Sequence, residues 1–427
     1  MKMPSRFACV ASLLFFASLM LASASVLSAA DHELHRFKVV PLTDVYYSEG
    51  ANVGDIDGDG VIDAVYGPYW FEGPEFTEKH EVFAAKPQPT ERYANHFFAW
   101  LRDFNGDGRP DVLTAGFPGT PGYVYENPGK EGFDKHWKRH EVIDSVCNES
   151  PQLLNLVGDE QPEFICTRDG YFGYATIDPK NGLEAWKFHN VSEQNAPKPF
   201  GHGLGVGDID GDGKQDIITK DGWFQQPASL EGDPQWPFHK ANFAGPGGAE
   251  MYAYDIDGDG DSDVITSLAA HEFGLAWYEQ LRDGDKIIFK PHTILGSKAS
   301  ENRYGLVFSE LHSVNLVDMD GDGLKDIVTG KTYYSHHKQS PMWDAGAVVY
   351  WFKLARNKDG VDWIPFRAAD ETGIGRQVSV ADVNGDKLLD IIVGGMKGGH
   401  VLLHEKVSVT PEEWQQAQPK SIEKVSP

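Results

Sequence analysis

Six segments of the chain place carboxylate and amide side chains at fixed positions around glycines. The first segment, residues 55–63, reads Asp-Ile-Asp-Gly-Asp-Gly-Val-Ile-Asp, with acids at positions 1, 3, 5 and 9. These four side chains supply oxygen ligands, position 7 adds its backbone carbonyl, and the glycines permit a tight turn. Because Ca²⁺ takes about six to eight oxygen ligands, the pattern predicts a calcium loop.

The same spacing occurs in all six segments, so about six bound calcium ions are expected. The predicted ligands, loop by loop, are Asp55, Asp57, Asp59 and Asp63; Asp103, Asn105, Asp107 and Asp111; Asp208, Asp210, Asp212 and Asp216; Asp255, Asp257, Asp259 and Asp263; Asp318, Asp320, Asp322 and Asp326; Asp382, Asn384, Asp386 and Asp390. A seventh, altered copy runs from Asn155 to Glu163 and has Val157 at position 3. Weak calcium binding or none is expected there, since valine offers no side-chain oxygen.

The seven loops begin 47 to 64 residues apart, and each is flanked by short apolar or β-branched segments. A repeat of about fifty residues with strand-rich content is typical of propeller blades. The sequence therefore predicts an all-β, seven-bladed β-propeller of four-stranded antiparallel blades over residues 31–405. The last unit lacks a fourth strand of its own, so residues 35–40 are expected to pair beside residues 401–403 and close the ring.

The two ends of the chain have other patterns. Residues 1–30 combine an early positive charge, an apolar run too short for a membrane span, and small residues before position 31, which predicts a signal peptide and a secreted or periplasmic protein. Residues 406–427 form a tail with a short helix, for which Thr410 is the N-cap and Pro411 the first residue. Cys147 and Cys166 are not expected to form a disulfide, since hairpin register does not place them opposite each other.

The net charge of −26 makes nucleic acid an unfavourable partner. No other segment is apolar and long enough to predict a membrane span. The oligomeric state is left open.

Ionisable residues also recur just before each loop. Six residues before the first loop position stand Glu49, Glu149, His202, His312 and Arg376; in the other two units His96 and Glu250 are displaced by one residue. The first strand of each propeller blade lines the central channel, so these residues are expected to converge on one end of it, which we call the mouth. The second strands return to the mouth and bring Arg168, Lys220, His271 and Lys331. The longest insertion, residues 331–347, emerges there with His336 and His337.

Such a set of groups suits proton abstraction next to a carbonyl or carboxylate, followed by loss of a leaving group. His202 or His312 is the candidate base, Tyr304 or His271 the candidate acid, and Arg168, Lys220, Lys331 and Arg376 are the candidate cations that hold the developing negative charge. Alternatively, His202, His312 and a carboxylate such as Glu250 hold a second divalent, transition-type metal. The remaining interpretation is a solvated polar rim without function.

The six loops, with the apolar strands and the Trp-(Tyr/Phe) segments that follow them, resemble FG-GAP/VCBS repeat propellers. This family includes integrin-type ligand-binding heads and adhesins as well as enzymes, so the resemblance implies fold and calcium more strongly than activity. His202-Gly-Leu-Gly and Glu310-Leu-His312-Ser are similar in style to aldos-2-ulose dehydratases and propeller polysaccharide lyases. The predicted function is lyase or dehydratase chemistry on a uronate or keto-sugar; the alternative is a non-catalytic module that binds glycan or protein.

Overall fold

The computed structural model describes residues 32–284, 286–333, 338–358 and 360–422. The predicted signal peptide, His336 and His337 lie outside the described residues. The described chain is almost entirely β-structure, as the repeat pattern predicted.

The strands fall into seven units, each of which contains one loop between its first two strands; β1 (His32–Thr43) precedes them. Units 1 to 3 contain β2 (Ala51–Gly54), β3 (Asp63–Tyr66), β4 (Tyr69–Phe71), β5 (Lys79–Glu81); β6 (His96–Arg102), β7 (Asp111–Gly116), β8 (Thr120–Glu126), β9 (Lys138–Val146); β10 (Gln152–Leu154), β11 (Glu163–Arg168), β12 (Tyr171–Thr176), β13 (Lys187–Asn190).

Units 4 to 7 contain β14 (Leu204–Gly207), β15 (Asp216–Thr219), β16 (Gly222–Phe224), β17 (Phe238–Lys240); β18 (Glu250–Tyr254), β19 (Asp263–Ser267), β20 (Leu275–Asp283), β21 (Lys286–Leu295); β22 (Val314–Val317), β23 (Asp326–Lys331), β24 (Val348–Asn357), β25 (Gly360–Asp370); β26 (Val378–Ala381), β27 (Asp390–Gly395), β28 (Gly398–Val409). Two 3-10 turns, Lys130–Gly132 and Ala299–Glu301, and the helix α1 (Pro411–Ala417) complete the elements. Among the described residues, no helix has the length and apolar character needed to cross a bilayer.

Four-stranded antiparallel blades are confirmed, but seven separate sheets are not found. Five sheets have four strands each, and one sheet of eight strands contains both unit 4 and unit 5. The two units join because β14 and β18 pair in parallel along Leu204–Val206 and Glu250–Tyr252. Glycines permit this approach: a Cβ at Gly205 would lie 2.0 Å from the Met251 carbonyl oxygen, and one at Gly207 would lie 2.3 Å from the Ala253 Cβ.

Elsewhere, side chains rather than the backbone connect neighbouring first strands. In each contact a side chain of one first strand donates to a backbone carbonyl oxygen of the next, at 2.8–3.3 Å. The contacts are Asn52 to Ala99, Gln152 to Leu204, Tyr252 to Val314, Asn315 to Val378, and Ser379 to Ala51. The last pair joins unit 7 to unit 1. The first strands surround a central cavity of about 380 Å³, so they line a channel as the sequence predicted.

The two ends of the described chain lie against unit 7. β1 pairs antiparallel with β28, with Val40 opposite Val401 and Lys38 opposite Leu403, so the strand lies where the sequence placed it. The helix α1 begins as predicted, since the Thr410 hydroxyl accepts from the Glu413 N–H. Cys147 and Cys166 are both buried and unbonded.

One buried carboxylate at loop position 9 ties each loop to its blade. Asp263 is typical: one of its oxygens accepts from the Ile256 N–H at 2.9 Å, and the other accepts from the Gln280 N–H at 2.8 Å, within the third strand. Burial raises the pKa of these carboxyls, to about 6 for Asp63, Asp111 and Asp390, about 7 for Asp216 and Asp263, and about 8 for Asp326. In the altered third loop, Glu163 accepts from the Leu156 N–H at 2.9 Å and the Val157 N–H at 3.2 Å.

A substitution at Glu163 measures the stability that this contact contributes. Calcium should interfere least in this loop, where weak binding or none is expected. Glu163→Ala leaves the buried Leu156 N–H and the part-buried Val157 N–H without their acceptor, which should lower the free energy of unfolding by about 1–3 kcal/mol. Glu160→Ala, an exposed neighbour in the same loop, should change it by less than about 0.5 kcal/mol. Denaturant unfolding of both variants makes the comparison; equal stabilities would show that the tie is dispensable.

Candidate functional site

Ionisable side chains from several units meet at the end of the channel opposite the acidic loops. We call this group the mouth cluster; its members are Glu49, Glu149, His202, His271, Glu310, His312 and Arg376. Short inner strands of three to seven residues separate each mouth residue from its loop, so the rigid loop fixes where the strand begins. The convergence expected from the sequence is therefore found for most of these residues.

Three imidazoles form the centre of the cluster. The ring centroids of His271 and His312 are 4.8 Å apart, those of His202 and His271 are 5.1 Å apart, and those of His202 and His312 are 6.2 Å apart. The side chain of His312 is 1% exposed and that of His271 is 34% exposed, so the group is buried at its base and open above. Burial and the nearby Arg376 hold the pKa of His312 well below its usual range, which keeps this imidazole neutral.

Glu310 supplies a carboxylate beneath the imidazoles. Its Oε2 lies 3.2 Å from His312 Nδ1 and 4.0 Å from His271 Nδ1. Glu310 has a φ of 65°, a region that a non-glycine residue rarely occupies. Its backbone oxygen accepts from the His312 N–H at 3.0 Å, so the chain turns tightly between the two residues. Glu310 is fully buried, and burial raises its pKa to about 7.

A buried ion-pair network lies beside the imidazoles. Arg376 Nε donates to Glu149 Oε2 at 3.0 Å, and Arg376 Nη1 lies 3.9 Å from Glu49 Oε2. Glu149 Oε1 is 3.9 Å from His202 Nε2, which joins the network to the imidazoles. The Tyr46 hydroxyl donates to Glu49, and the Arg376 guanidinium stands 4.7 Å from the Tyr93 ring centroid. Arg376 therefore binds carboxylates of the protein and is not available to hold a substrate.

The mouth also contains a cavity of about 300 Å³ between units 3 and 4. His202, Lys220, Asp221, Asn148, Thr167 and Phe172 are among its lining residues. Lys220 Nζ donates to Asp221 at 2.8 Å and stands at the rim of this cavity. Lys331, predicted as a second cation for substrate, is instead buried, and its Nζ donates to the Thr332 carbonyl at 3.1 Å. Burial lowers the pKa of Lys331, and Glu310 opposes that effect.

Four sequence-predicted residues lie elsewhere. Arg168 is paired with Asp144 at 2.5 Å. The Tyr304 hydroxyl donates to Asp362 at 2.9 Å, in a separate cavity between units 5 and 6 that Asp257 also lines, so Tyr304 is not at the mouth. His96 packs on Phe83, with ring centroids 4.7 Å apart. Glu250 accepts from the Val314 N–H at 2.8 Å and lines the channel.

Glu310, not Glu250, is thus the carboxylate that joins His312 and His271. Sequence reasoning recorded the Glu310-Leu-His312 segment but gave Glu310 no role. A glutamate two residues from a candidate histidine was the available signal, although the chain here turns and is not extended. The backbone turn that brings Glu310 under the imidazoles has no such signature.

The acidic loops at the other end have carboxylates that already face one another. Each of four sets has ligand atoms within 4.8 Å of one another: Asp55, Asp57 and Asp63; Asp208, Asp210 and Asp212; Asp255, Asp257 and Asp259; Asp318, Asp320 and Asp326. In the first loop, Asp55 Oδ1 accepts from the Gly58 N–H at 2.8 Å, and Asp55 Oδ2 accepts from the Gly60 N–H at 3.0 Å. The backbone therefore orients the side chain at position 1, as a calcium loop requires.

Residues 318–393 match the family described as FG-GAP-like repeat, which confirms the resemblance drawn from the loops. No curated protein sequence matches the chain.

Three solved structures illustrate the fold likeness. One is a lectin from Agrocybe aegerita that recognises non-reducing terminal N-acetylglucosamine, with 14% identity, a TM-score of 0.43, and coverage of 91% of this chain and 98% of that one. The exotype rhamnogalacturonan lyase YesX has 14% identity, a TM-score of 0.45, and coverage of 87% and 72%. The Photorhabdus luminescens Tc holotoxin pore has 19% identity and a TM-score of 0.38; the match covers 72% of this chain but 14% of that one. Likeness at this level says nothing about the ligand or reaction of this chain.

Removing Arg376 should expose the cost of burying its carboxylate partners. Arg376→Ala leaves Glu149 and Glu49 as uncompensated buried charges, and the free energy of unfolding should fall by about 3–5 kcal/mol. Arg168→Ala breaks a partly exposed arginine–aspartate pair and should cost less than about 1 kcal/mol. Thermal and denaturant unfolding distinguish the two; similar losses would mean that the Arg376 network is not held as a buried unit.

Proposed function

We propose that the mouth is the catalytic site of a carbohydrate-active enzyme that performs an elimination on a uronate or keto-sugar. The observation that carries the proposal is the meeting of three imidazoles and a buried carboxylate, from units 4, 5 and 6, beside an open cavity. Ionisable groups with strongly shifted pKa values that cluster in a cleft are candidates for a functional site.

Packing alone gives no reason for this arrangement. Glu310 is fully buried, and the nearest partners of its carboxylate are the neutral His312 imidazole, at 3.2 Å, and the Ser340 hydroxyl, neither of which carries a balancing charge. Burying such a group costs several kcal/mol unless it is paired or binds a ligand. An apolar residue of similar size at position 310 would stabilise the fold better. We therefore infer that Glu310 serves the function of the mouth and not the stability of the fold.

The cavity offers the groups that an elimination needs. His202 reaches the cavity wall, where an imidazole can take a proton from the carbon next to a carboxylate or carbonyl. Lys220 stands on the same wall, paired with Asp221 at 2.8 Å, and a sugar carboxylate would have to take the place of Asp221 to bind it. Phe172 is the one aromatic ring among the described lining residues apart from His202, whereas a glycan-binding module would use a shallow aromatic platform.

The activity test compares two histidines of unit 4. The purified protein is incubated with uronate polymers and keto-glycosides, and ultraviolet absorbance reports the unsaturated product. His202→Ala should reduce the rate by at least about 100-fold, the usual contribution of a general acid or base. His239→Ala is the control, because His239 stacks on Trp223 far from the cavity and its loss should leave the rate unchanged. If neither substrate class gives product, or His202→Ala keeps the rate, the elimination proposal fails.

We further propose that the six intact loops each bind one calcium ion. The support is chemical: oxygen donors only, preset by the backbone, at a spacing that suits a hard cation. Bound calcium would also relieve the repulsion among four acidic or amide side chains per loop. Cations of the protein already stand against some of these acids, as Lys130 Nζ does at 3.0 Å from Asp57.

Calcium removal should destabilise the protein, because a ligand that binds only the folded state stabilises it. Excess chelator should lower the melting temperature by several degrees or more, and calorimetric titration should count six sites. Asp208→Ala, at position 1 of the fourth loop, should remove one site. Asn155→Ala, at position 1 of the altered loop, should remove none. An unchanged melting curve in chelator, or loss of a site in Asn155→Ala, would contradict the assignment.

The blade count is proposed as seven, with the eight-stranded sheet acting as two blades and β1 closing the ring. The support is the β1–β28 pairing together with the hydrogen bond from the Arg376 N–H to the Glu49 carbonyl at 2.8 Å, which joins unit 7 to unit 1. An experimental structure with β1 away from β28 would overturn it.

A further inference from the structure

We infer that His271, Glu310 and His312 form a binding site for one divalent transition-metal ion, such as Zn²⁺, that is distinct from the calcium loops. The site lies at the mouth, and its catalytic meaning rests on the proposed function; metal binding itself does not. His202, which lines the cavity, lies beside these three residues.

The three side chains are already close to the geometry that an ion requires. Their ligand atoms all lie within 4.8 Å of one another. Two atoms that are each about 2 Å from one ion lie roughly 3–4 Å apart. Glu310 Oε2 and His312 Nδ1, at 3.2 Å, meet that condition. The exposed His271 need move only slightly to complete the set.

Unsatisfied buried atoms point to a missing partner at this place. Both oxygens of Glu310 are buried without a hydrogen bond of standard geometry among the described residues, and their near polar neighbours are the Ser340 hydroxyl and His312 Nδ1. Orphaned polar atoms at such depth are rare in folded proteins. A cation bound to Glu310 Oε2 and His312 Nδ1 would give the buried carboxylate the charged partner that it lacks.

The local charge also leaves room for a cation. Glu49, Glu149 and Glu310 contribute three carboxylates, whereas Arg376 and Lys331 contribute two cations, and all five side chains are buried. Arg376 is engaged by Glu149 at 3.0 Å, so its charge is largely offset before it reaches the imidazoles. Glu310 remains the carboxylate nearest to His271 and His312.

The ligand chemistry decides which class of ion would bind. Calcium and magnesium prefer oxygen ligands throughout, whereas imidazole nitrogens suit zinc and neighbouring transition metals. Two imidazoles and one carboxylate with an open fourth position are the ligand set of a catalytic, not a closed structural, zinc site. Such an ion would polarise a carboxylate or carbonyl oxygen of a substrate in the cavity, with His202 beside it.

His202 lies at the edge of the proposed metal site. Its ring centroid lies 5.1 Å from that of His271 and 6.2 Å from that of His312, and the residue lines the cavity. His202 therefore borders both the cluster and the cavity, and it is not needed to complete the three-residue ligand set.

The test measures metal binding without substrate. The chelator-treated protein is first saturated with Ca²⁺ to fill the loops, and Co²⁺ is then titrated, because its visible absorption reports coordination by nitrogen. One equivalent of Co²⁺ should give a saturable spectrum that Zn²⁺ displaces. His271→Ala and Glu310→Gln should each weaken Co²⁺ binding by at least about 10–100-fold, whereas His292→Ala, on the outer strand of unit 5 and stacked on Trp277, should bind as the parent does.

Calcium stoichiometry and melting temperature report whether each variant is folded. His271→Ala is expected to fold, because the side chain that it removes is partly exposed. His202→Ala should keep the spectrum even though it loses activity. The inference is overturned if the parent gives no saturable Co²⁺ spectrum, if His271→Ala and Glu310→Gln bind as tightly as the parent, or if His202→Ala abolishes binding. A protein that binds Co²⁺ but turns over no sugar would refute the proposed function alone.

Discussion

The buried carboxylate at loop position 9 is the interaction on which each unit of this protein depends. In the six intact loops it accepts one N–H from the start of the loop and one from the third strand or the residues just after it, as Asp263 does from Ile256 and Gln280. Three segments of a blade are thereby fixed by a single side chain. The altered loop keeps the contact at the loop start through Glu163 although it has lost a calcium-type ligand at position 3, so this half of the tie is separable from metal binding.

Each loop fixes one end of a short first strand and thereby restricts the position of the mouth residue at the other end. Only a few residues separate each loop from the mouth, so a strand start has little freedom to shift. Neighbouring units are also held together near the loops, where Asn127 Nδ2 donates to the Ile56 carbonyl and Gln226 Nε2 donates to the Leu156 carbonyl, both at 2.9 Å. Rigid surroundings of this kind allow a strained residue such as Glu310, with its φ of 65°, to persist.

The sequence predicts the parts of this structure that depend on local spacing. Loop position, strand order, the Thr410 cap and the pairing of residues 35–40 beside residues 401–403 follow from periods and side-chain types. The sequence does not predict the contacts between units. Gly205 allows β14 to reach β18, which merges two sheets. Tyr304 carries a suitable hydroxyl, but its distance from the channel depends on how units 5 and 6 pack.

The two ends of the channel differ in ligand chemistry for a physical reason. The loops present only oxygens on backbone turns open to solvent, where carboxylates remain hydrated and a hard cation exchanges readily. The mouth presents imidazoles in a buried setting, where burial and Arg376 keep His312 neutral and hence able to donate a lone pair to a metal. A neutral nitrogen costs less to bury than a carboxylate, so a site at this depth is more stable when built from histidines with a single glutamate. The depth of the mouth thus favours the nitrogen-rich set, and the exposure of the loops favours oxygen.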